Sequence, residues 1–479
     1  VTTAAPSDEL IDQLIDQLTA VVGAAHVLIS DDVRAGYEVD WTGRYGAPCD
    51  LVVRPANTAE VSSVLTTCAR HGALVITQAG NSGLVGGSVP RPDVGPDVGP
   101  IVVLSMRRLD SVGPVDAAAM QVTVGAGVTL TRWRQAARDA GLDTPIDFAA
   151  RDVATIGGAI ATNAGGSRVL RFGTMRQQVV GIEAVTVDGA VVGSLSGLPK
   201  ETAGLHWPSL LAGSEGTLAV ITAARLRLVP WMRETITALV AVESMGTATR
   251  LLADLRSAVP SLDAVEIICP AAMDLVSAHL GETPPVAAPI GGVALMIDCA
   301  DHTDPSDSFL AVLGGATGVV DVAVTTDGPQ RSRLVAFRDR ITEAIATAST
   351  AIGVPTFKLD VAVPLASLSE LVDVAQRAAD DDGCQLIPFG HLAEGNLHLN
   401  HLGAHRPEQI ADTVLRAVAS MGGTISAEHG IGVAKTPWLR LIRTPAELAA
   451  QAAIRSALDP HGMLNPGVLD PSHRGQAPS

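Results

Sequence analysis

Two short segments in the C-terminal half carry side chains of the types that hold a metal ion and move a proton. The first, FGHLAEGNLHLNHLG (residues 389–403), places His391 and His398 on either side of Glu394 and Gly395. The second, SAEHGIGVAK (residues 426–435), sets Glu428 beside His429. A two-residue hairpin loop at Glu394 and Gly395 makes His391 and His398 direct cross-strand partners. Their Cβ atoms would then lie about 4.5–5.5 Å apart, close enough to share one ion. Glu428 supplies a third, anionic ligand, and such a set leaves coordination positions open. These donors suit Zn2+, and less strictly Fe2+ or Mn2+. Each histidine taken singly more often satisfies a loop carbonyl, but the adjacent His429 shifts that balance. An ion lowers the pKa of a hydroxyl, and a free imidazole takes its proton.

A third segment, FRDRITEAI (residues 337–345), reads as helix and places Arg338 and Thr342 four residues apart on one face. Arg340 falls on another face, toward solvent. Lys358 follows in FKLDVAVP. A guanidinium, a hydroxyl and an ammonium together can clamp a carboxylate. Spacing alone favours an ordinary surface arginine at position 338.

Three glycine-rich stretches precede these segments: AGNSGLVGGSVP (79–90), TIGGAIATNAGGSRVLRFGTMRQQV (155–179) and GSEGTL (213–218). Glycines let backbone N–H groups close on a pyrophosphate, and Asn81 and Ser82 add side-chain donors. None fits a G-x-G-x-x-G turn between a first strand and a helix, so a Rossmann dinucleotide site is not indicated.

The elements around these motifs alternate in type. DELIDQLIDQLTAVVG has apolar residues at helical spacing. LVVRP reads as a strand, and TAEVSSVLTTCARHG as a helix with Thr58 as N-cap and Gly72 near its end. ALVITQAG is a strand entering the first glycine loop. RPDVGPDVGP (91–100) is a loop that Pro and Gly hold irregular. Strands dominate from 101 to 230: IVVLS, QVTVGAGVTL, GIEAVTVDGAVV and LAVITAARLRLVP. A second α/β region begins near Glu234 with ITALVAVES, a long Ala-rich helix and the strand AVEIICP. PAELAAQAAIRSALDPHGMLNPG closes the chain with a helix and a Pro/Gly stop.

Composition sets the class. The 479 residues are 47% hydrophobic and 17% charged, which is a folded chain long enough for two or three domains. The 33 basic against 50 acidic residues give a net charge of −17, a field that disfavours nucleic acid. Five scattered cysteines, never spaced C-x-x-C, indicate a reducing compartment rather than a disulfide framework. No basic-then-apolar leader and no bilayer-length apolar run is present, so a cytoplasmic location without integral membrane segments is expected.

The ordered set NSGLVGGSVP, IGGAIATNAGG, RFGTMRQQVVGIEAVTVDG and GSEGTLAVIT resembles the vanillyl-alcohol oxidase/p-cresol methylhydroxylase superfamily of flavoproteins. FRDRITEAI, FKLDVAVP, FGHLAEGNLHLN, SAEHGIGVAK and LDPHGMLNPG extend the resemblance to its FAD-linked D-2-hydroxy acid dehydrogenases. Within that group they favour the D-2-hydroxyglutarate branch over the D-lactate and glycolate branches. The resemblance implies an α+β fold. A two-subdomain FAD-binding domain (1–230) precedes an α/β, ferredoxin-like substrate and metal domain (231–440). A C-terminal helical segment (441–479) packs back on the FAD domain.

By the same resemblance Gly80, Asn81, Ser82, Gly83 and Leu84, with Gly86, Gly87 and Ser88, cradle the FAD pyrophosphate. Thr155, Gly157, Gly158, Thr162, Asn163, Gly165, Ile221 and Asn465 complete the cofactor contacts. Some relatives tether FAD through a His in the first loop, and Asn81 stands there, which implies non-covalent FAD. Arg338, Thr342 and Lys358 would grip a substrate carboxylate, and Asn400 would contact substrate. His391, His398 and Glu428 would hold zinc, with His429 as general base. The implied partners are a small 2-hydroxy acid and an acceptor such as an electron-transferring flavoprotein or a quinone-linked carrier. A homodimer is left open, as are an oxidase and a non-catalytic flavoprotein subunit. The chain departs from the family pattern at Ala393–Glu394–Gly395–Asn396, where relatives have Gly-Asp-Gly-Asn. It departs again at ETAGLHW, where they have Asn-Thr-Gly-Tyr-Asp-Leu.

Overall fold

The structure, a computed structural model, describes residues 8–92 and 99–470. Most of the irregular loop expected at 91–100 therefore lies outside the described residues. The helix Asp8–Val22 buries Leu14, Leu18 and Val22 along one stripe, as its spacing predicts. That stripe covers a four-stranded sheet in the order Val27–Leu28, Leu51–Val53, Ile101–Ser105, Leu74–Gln78, whose last three strands are parallel. Helix Thr58–Arg70 packs on the same core. Its N-cap is Asn57 rather than Thr58: the Asn57 carboxamide accepts from the Glu60 N–H. Asn outranks Thr in that role, and the Thr58 hydroxyl instead donates to Glu183.

A second, antiparallel four-stranded sheet runs Gln121–Gly125, Val220–Arg227, Val179–Val185, Val191–Ser194. QVTVGAGVTL is not one strand. Pairing stops at Gly125, and the Thr129 hydroxyl caps the helix Leu130–Asp139 by accepting from the Arg132 N–H. TIGGAIAT is likewise a short helix, Ile156–Thr162. Ile156, Ala159 and Ile160 are buried at helical spacing, and Asn163 ends it in the left-handed region.

From Glu234 onward the chain builds a seven-stranded antiparallel sheet with helices on both faces. Its order is Val319–Thr325, Glu234–Val242, Val293–Asp301, Leu262–Ile268, Gln385–His391, Asn396–Leu402, Phe357–Ala362. Helices Met245–Ala258, Leu368–Asp382 and Pro407–Ser420 cover one face. On the other face pack Pro270–Leu280 and the pair Gly328–Asp339 and Ile341–Ile352. The expected single helix at 337–345 is thus two helices. Arg340 (φ −86°, ψ −1°) breaks it, and Glu343, ion-paired to Arg340, supplies the acidic first turn that a new N-terminus favours. As expected, Arg340 itself is exposed.

The C-terminal helix Pro445–Leu458 starts with a capping box between Thr444 and Glu447. The following residues return to the first sheet, where the Asn465 N–H donates to the Val75 carbonyl and the Val75 N–H to that of Met463. All five cysteines are free. Among the described residues no helix is long and apolar enough to cross a membrane.

Candidate active site

Alternation along the strands assembles the site. Side chains of directly opposed residues in an antiparallel sheet share a face, and so do residues two apart. Glu266 opposes His391, which opposes Asn396; Asp360 opposes His398, which opposes Phe389; Lys358 opposes Asn400. Glu266, His391, His398, Asn400, Asp360 and Lys358 therefore point from one face of four adjacent strands. They line a cavity of about 790 Å³, together with Arg338, Thr342, Glu428 and His429.

The two histidines are not directly opposed, which corrects the register expected from a two-residue loop. The connection is a 3-10 turn, Leu392–Glu394, followed by Gly395 in the left-handed region, four residues in all. His391 thus pairs with Asn396, and His398 lies on the diagonal. Diagonal neighbours are still within reach of long side chains. Their ring centroids are 5.3 Å apart and nearly perpendicular.

Carboxylates fix each ring. The Glu266 carboxylate lies 2.6 Å from His391 Nδ1, so His391 Nε2 faces Glu428 Oε1 at 3.2 Å. Asp360 reaches His398 Nδ1 with one oxygen and His429 Nδ1 with the other, both at 3.4 Å. The same Asp360 Oδ2 accepts from the backbone N–H groups of Ala427, Glu428 and His429, which seats that loop against the sheet. Ligand atoms of His391, His398 and Glu428 come within 4.8 Å of one another. Glu428 Oε1 accepts from the Gly166 N–H at 2.7 Å, while Oε2 accepts no hydrogen bond among the described residues. Two imidazoles held by carboxylates and one carboxylate with a free oxygen form a donor set that fits a divalent ion.

Charge is distributed unevenly across this cluster. Burial alone would raise Glu266 and Glu428, but His391 with Arg338, and His391 with His398, bring both carboxyls down to about 2. Burial would depress His391, yet Glu266 and Glu428 hold it well above the imidazole range. His429 goes the other way: burial lowers it, and the attraction of Asp360 and Glu428 does not compensate. A neutral His429 beside charged neighbours is poised to accept a proton.

The cavity continues under the glycine loops. Gly80, Asn81, Ser82, Gly83, Leu84, Gly87 and Ser88 line it, as do Thr155, Gly157, Gly158, Thr162, Gly165, Ile221 and Asn465. Gly86 and Asn163 do not. Gly86 packs against Tyr45 and Val433, and the Asn163 carboxamide accepts from the Arg176 N–H and the Thr174 hydroxyl. The hydroxyls of Thr77 and Thr155 are buried on this wall with no partner among the described residues. A Cβ on Gly83 would meet nothing within 4 Å. An elongated chamber with exposed backbone and unused hydroxyls fits a dinucleotide such as FAD. Four of six described non-glycine residues with positive φ (Asn81, Asn163, Glu215, Asn465) sit on or beside it.

Sequence reasoning missed Glu266, Asp360 and Glu215. Each left a signal. Glu266 and Asp360 are buried acids inside largely apolar strands, and a buried acid needs a partner. Glu215 stands in the GSEG turn at φ 50°. Its oxygens accept from the Ile431 N–H at 2.8 Å and the Gly432 N–H at 2.7 Å, and burial pushes its carboxyl up to about 7. Glu215→Gln would aim a donor at one of those N–H groups. The expected cost is about 1–3 kcal/mol of unfolding free energy, read by urea denaturation at pH 8. No change in the midpoint would mean the contact is idle.

Comparison with known proteins places the chain. Residues 48–194 match the FAD binding domain family, and residues 232–469 the C-terminal domain family of FAD linked oxidases. A D-2-hydroxyglutarate dehydrogenase of Xanthomonas citri is 31% identical over 91% of this chain and 92% of that protein. A D-lactate dehydrogenase of Archaeoglobus fulgidus is 32% identical over 88% and 91%. The fold is that of p-cresol methylhydroxylase, with a TM-score of 0.76 at 15% identity, covering 97% of both chains. The chain belongs to the FAD-linked oxidase family of flavoprotein oxidoreductases, in the branch of 2-hydroxy acid dehydrogenases.

Proposed function

We propose that the protein oxidises a D-2-hydroxy acid, D-2-hydroxyglutarate foremost, to the 2-oxo acid. The observation that carries this reading is the cluster of His391, His398, Glu428 and His429 beneath a flavin-sized chamber. His391, His398 and Glu428 would hold the ion, zinc on their chemistry, and a bound ion supplies a lowered hydroxyl pKa. The glycine loops would hold FAD without a covalent tether, and FAD supplies the acceptor for the two electrons leaving C2. His429, with Nδ1 turned to Asp360 and Nε2 free, takes the hydroxyl proton. Arg338, Thr342, Lys358 and Asn400 position the substrate. Reoxidation by an electron-transferring flavoprotein or quinone-linked carrier, in the cytoplasm, completes the reading.

The clamp residues are not equivalent. Arg338 stacks on Phe389 and turns Nε and Nη2 to Glu266, the acid that orients His391. Lys358 has no anionic partner among the described residues and lies over Trp41 at 4.9 Å. Lys358→Ala should therefore raise KM for D-2-hydroxyglutarate about 10- to 100-fold, leaving kcat and the KM for D-lactate near wild type. Arg338→Ala should lower kcat as well, because it frees Glu266. A substrate panel with a dye acceptor, run with and without chelator, tests the assignment. Equal KM changes for both acids in Lys358→Ala would remove hydroxyglutarate as the preferred substrate.

A further inference from the structure

A second cavity, of about 430 Å³, lies on the far side of Lys358 from the cluster just described. Trp41, Leu84, Val85, Lys358, Leu359 and Lys435 line both chambers, so the partition is one side chain thick. The rest of the second chamber has a distinct chemistry. Tyr45, Phe357 and Trp438 give it aromatic walls, and Arg44 is its own cation.

Of the three cations on its lining, Lys435 is turned to the Asp360 carbonyl, while Arg44 and Lys358 lack acidic partners among the described residues. The Arg44 guanidinium lies 4.9 Å above the Phe357 ring and 5.9 Å from that of Tyr45, and makes no hydrogen bond or ion pair among the described residues. Lys358 rests on Trp41. Many arginines elsewhere are paired with acids: Arg134, Arg138, Arg168, Arg171 and Arg225 all engage aspartates, although Arg233 also rests on a ring, that of Trp231. In a chain of net charge −17, Arg44 and Lys358 are two such cations that line one cavity. Among the described residues Glu408 is the one acid on the lining, and it is exposed. A cation over a ring keeps its outer N–H groups free to meet an anion, while the rings offer flat apolar surface.

We propose that this second chamber binds an organic carboxylate with a flat apolar body, its carboxylate between Arg44 and Lys358 and its body against Phe357, Tyr45 and Trp438. Lys358 is then shared by two sites. The ligand is either a separate molecule or the distal end of a long 2-hydroxy acid.

Equilibrium dialysis of 3-phenylpropionate against the FAD-loaded full chain tests this, with and without saturating D-2-hydroxyglutarate. Binding needs no turnover, so the result is separate from the fate of the substrate assignment. One saturable site is expected on the wild type. It should weaken at least tenfold in Arg44→Ala and in Ala346→Trp, whose indole fills the chamber from its helical wall. The flavin absorbance spectrum serves as the folding control, and Arg44→Lys should retain most of the affinity. Retention of the probe under saturating D-2-hydroxyglutarate identifies a site for a separate molecule. Full displacement identifies a ligand that competes with the substrate for the shared Lys358. Absence of saturable binding to the wild type, or equal affinity in the wild type and both weakened variants, would overturn the proposal.

Discussion

A His429→Asn variant is expected to lose about two to four orders of magnitude in kcat while keeping its flavin. Among the described residues its ring has Asp360 as its one ionic partner and the His398 ring as a neighbour at 5.9 Å, and the backbone N–H of residue 429 keeps its bond to that carboxylate. The pH profile gives the sharper test. Burial sets the imidazole pKa below its ordinary value of 6.5. Wild-type kcat/KM should therefore be flat near neutrality and fall toward acid as the base becomes protonated. The variant should lack that acid limb. Anaerobic stopped-flow of flavin reduction reads the step directly. A variant that reduces flavin at the wild-type rate, with the same acid limb, would show that another group takes the proton.

The second large effect is expected at His391. His391→Ala removes one proposed ligand and strands Glu266, whose carboxylate then keeps Arg338 as its one partner among the described residues. Metal analysis should fall from one divalent ion per chain to none. kcat/KM should fall by about 10²–10³ or more, because polarising the hydroxyl is worth several kcal/mol. Glu266→Gln, which leaves all three ligands in place, should weaken metal retention about 10- to 100-fold through loss of ring orientation. Wild-type protein that stays fully active after dialysis against a chelator would sink the metal assignment.

The residues proposed as metal ligands and base stood out in the sequence because His, His, Glu and His are rare types crowded into two short segments. Their geometry was less legible. The number of residues in the turn after His391 sets the register, and Leu392 and Ala393 are apolar enough to read as strand continuation. Both are buried in a 3-10 turn instead. Arg338 and Thr342 were read as one helical face, yet they reach the cavity from two helices. The acids that orient the rings escaped notice because their meaning is tertiary. Glu266 and His391 are 125 residues apart and meet only through strand pairing. The fold class was carried by the ordered glycine loops. Caps and strand ends, such as Asn57 and Gly125, depend on which neighbour reaches a free N–H first, and composition does not decide that.

Gly432 and Glu215 bear on how such enzymes diversify. A Cβ on Gly432 (φ +53°) would run into the Val85 carbonyl, so the loop after His429 lies flush against the first glycine loop. Glu215 ties that loop from the flavin side, and the Gly166 N–H ties Glu428. The carboxylate proposed as third ligand is therefore aimed by the backbone of the N-terminal half. A cap domain grafted from a relative would not arrive as a self-sufficient module: it would bring two histidines and need its new host to aim the carboxylate. Descent with new substrates is then easier by altering residues around Arg338 and Lys358 than by exchanging whole domains, since those positions leave the seam intact.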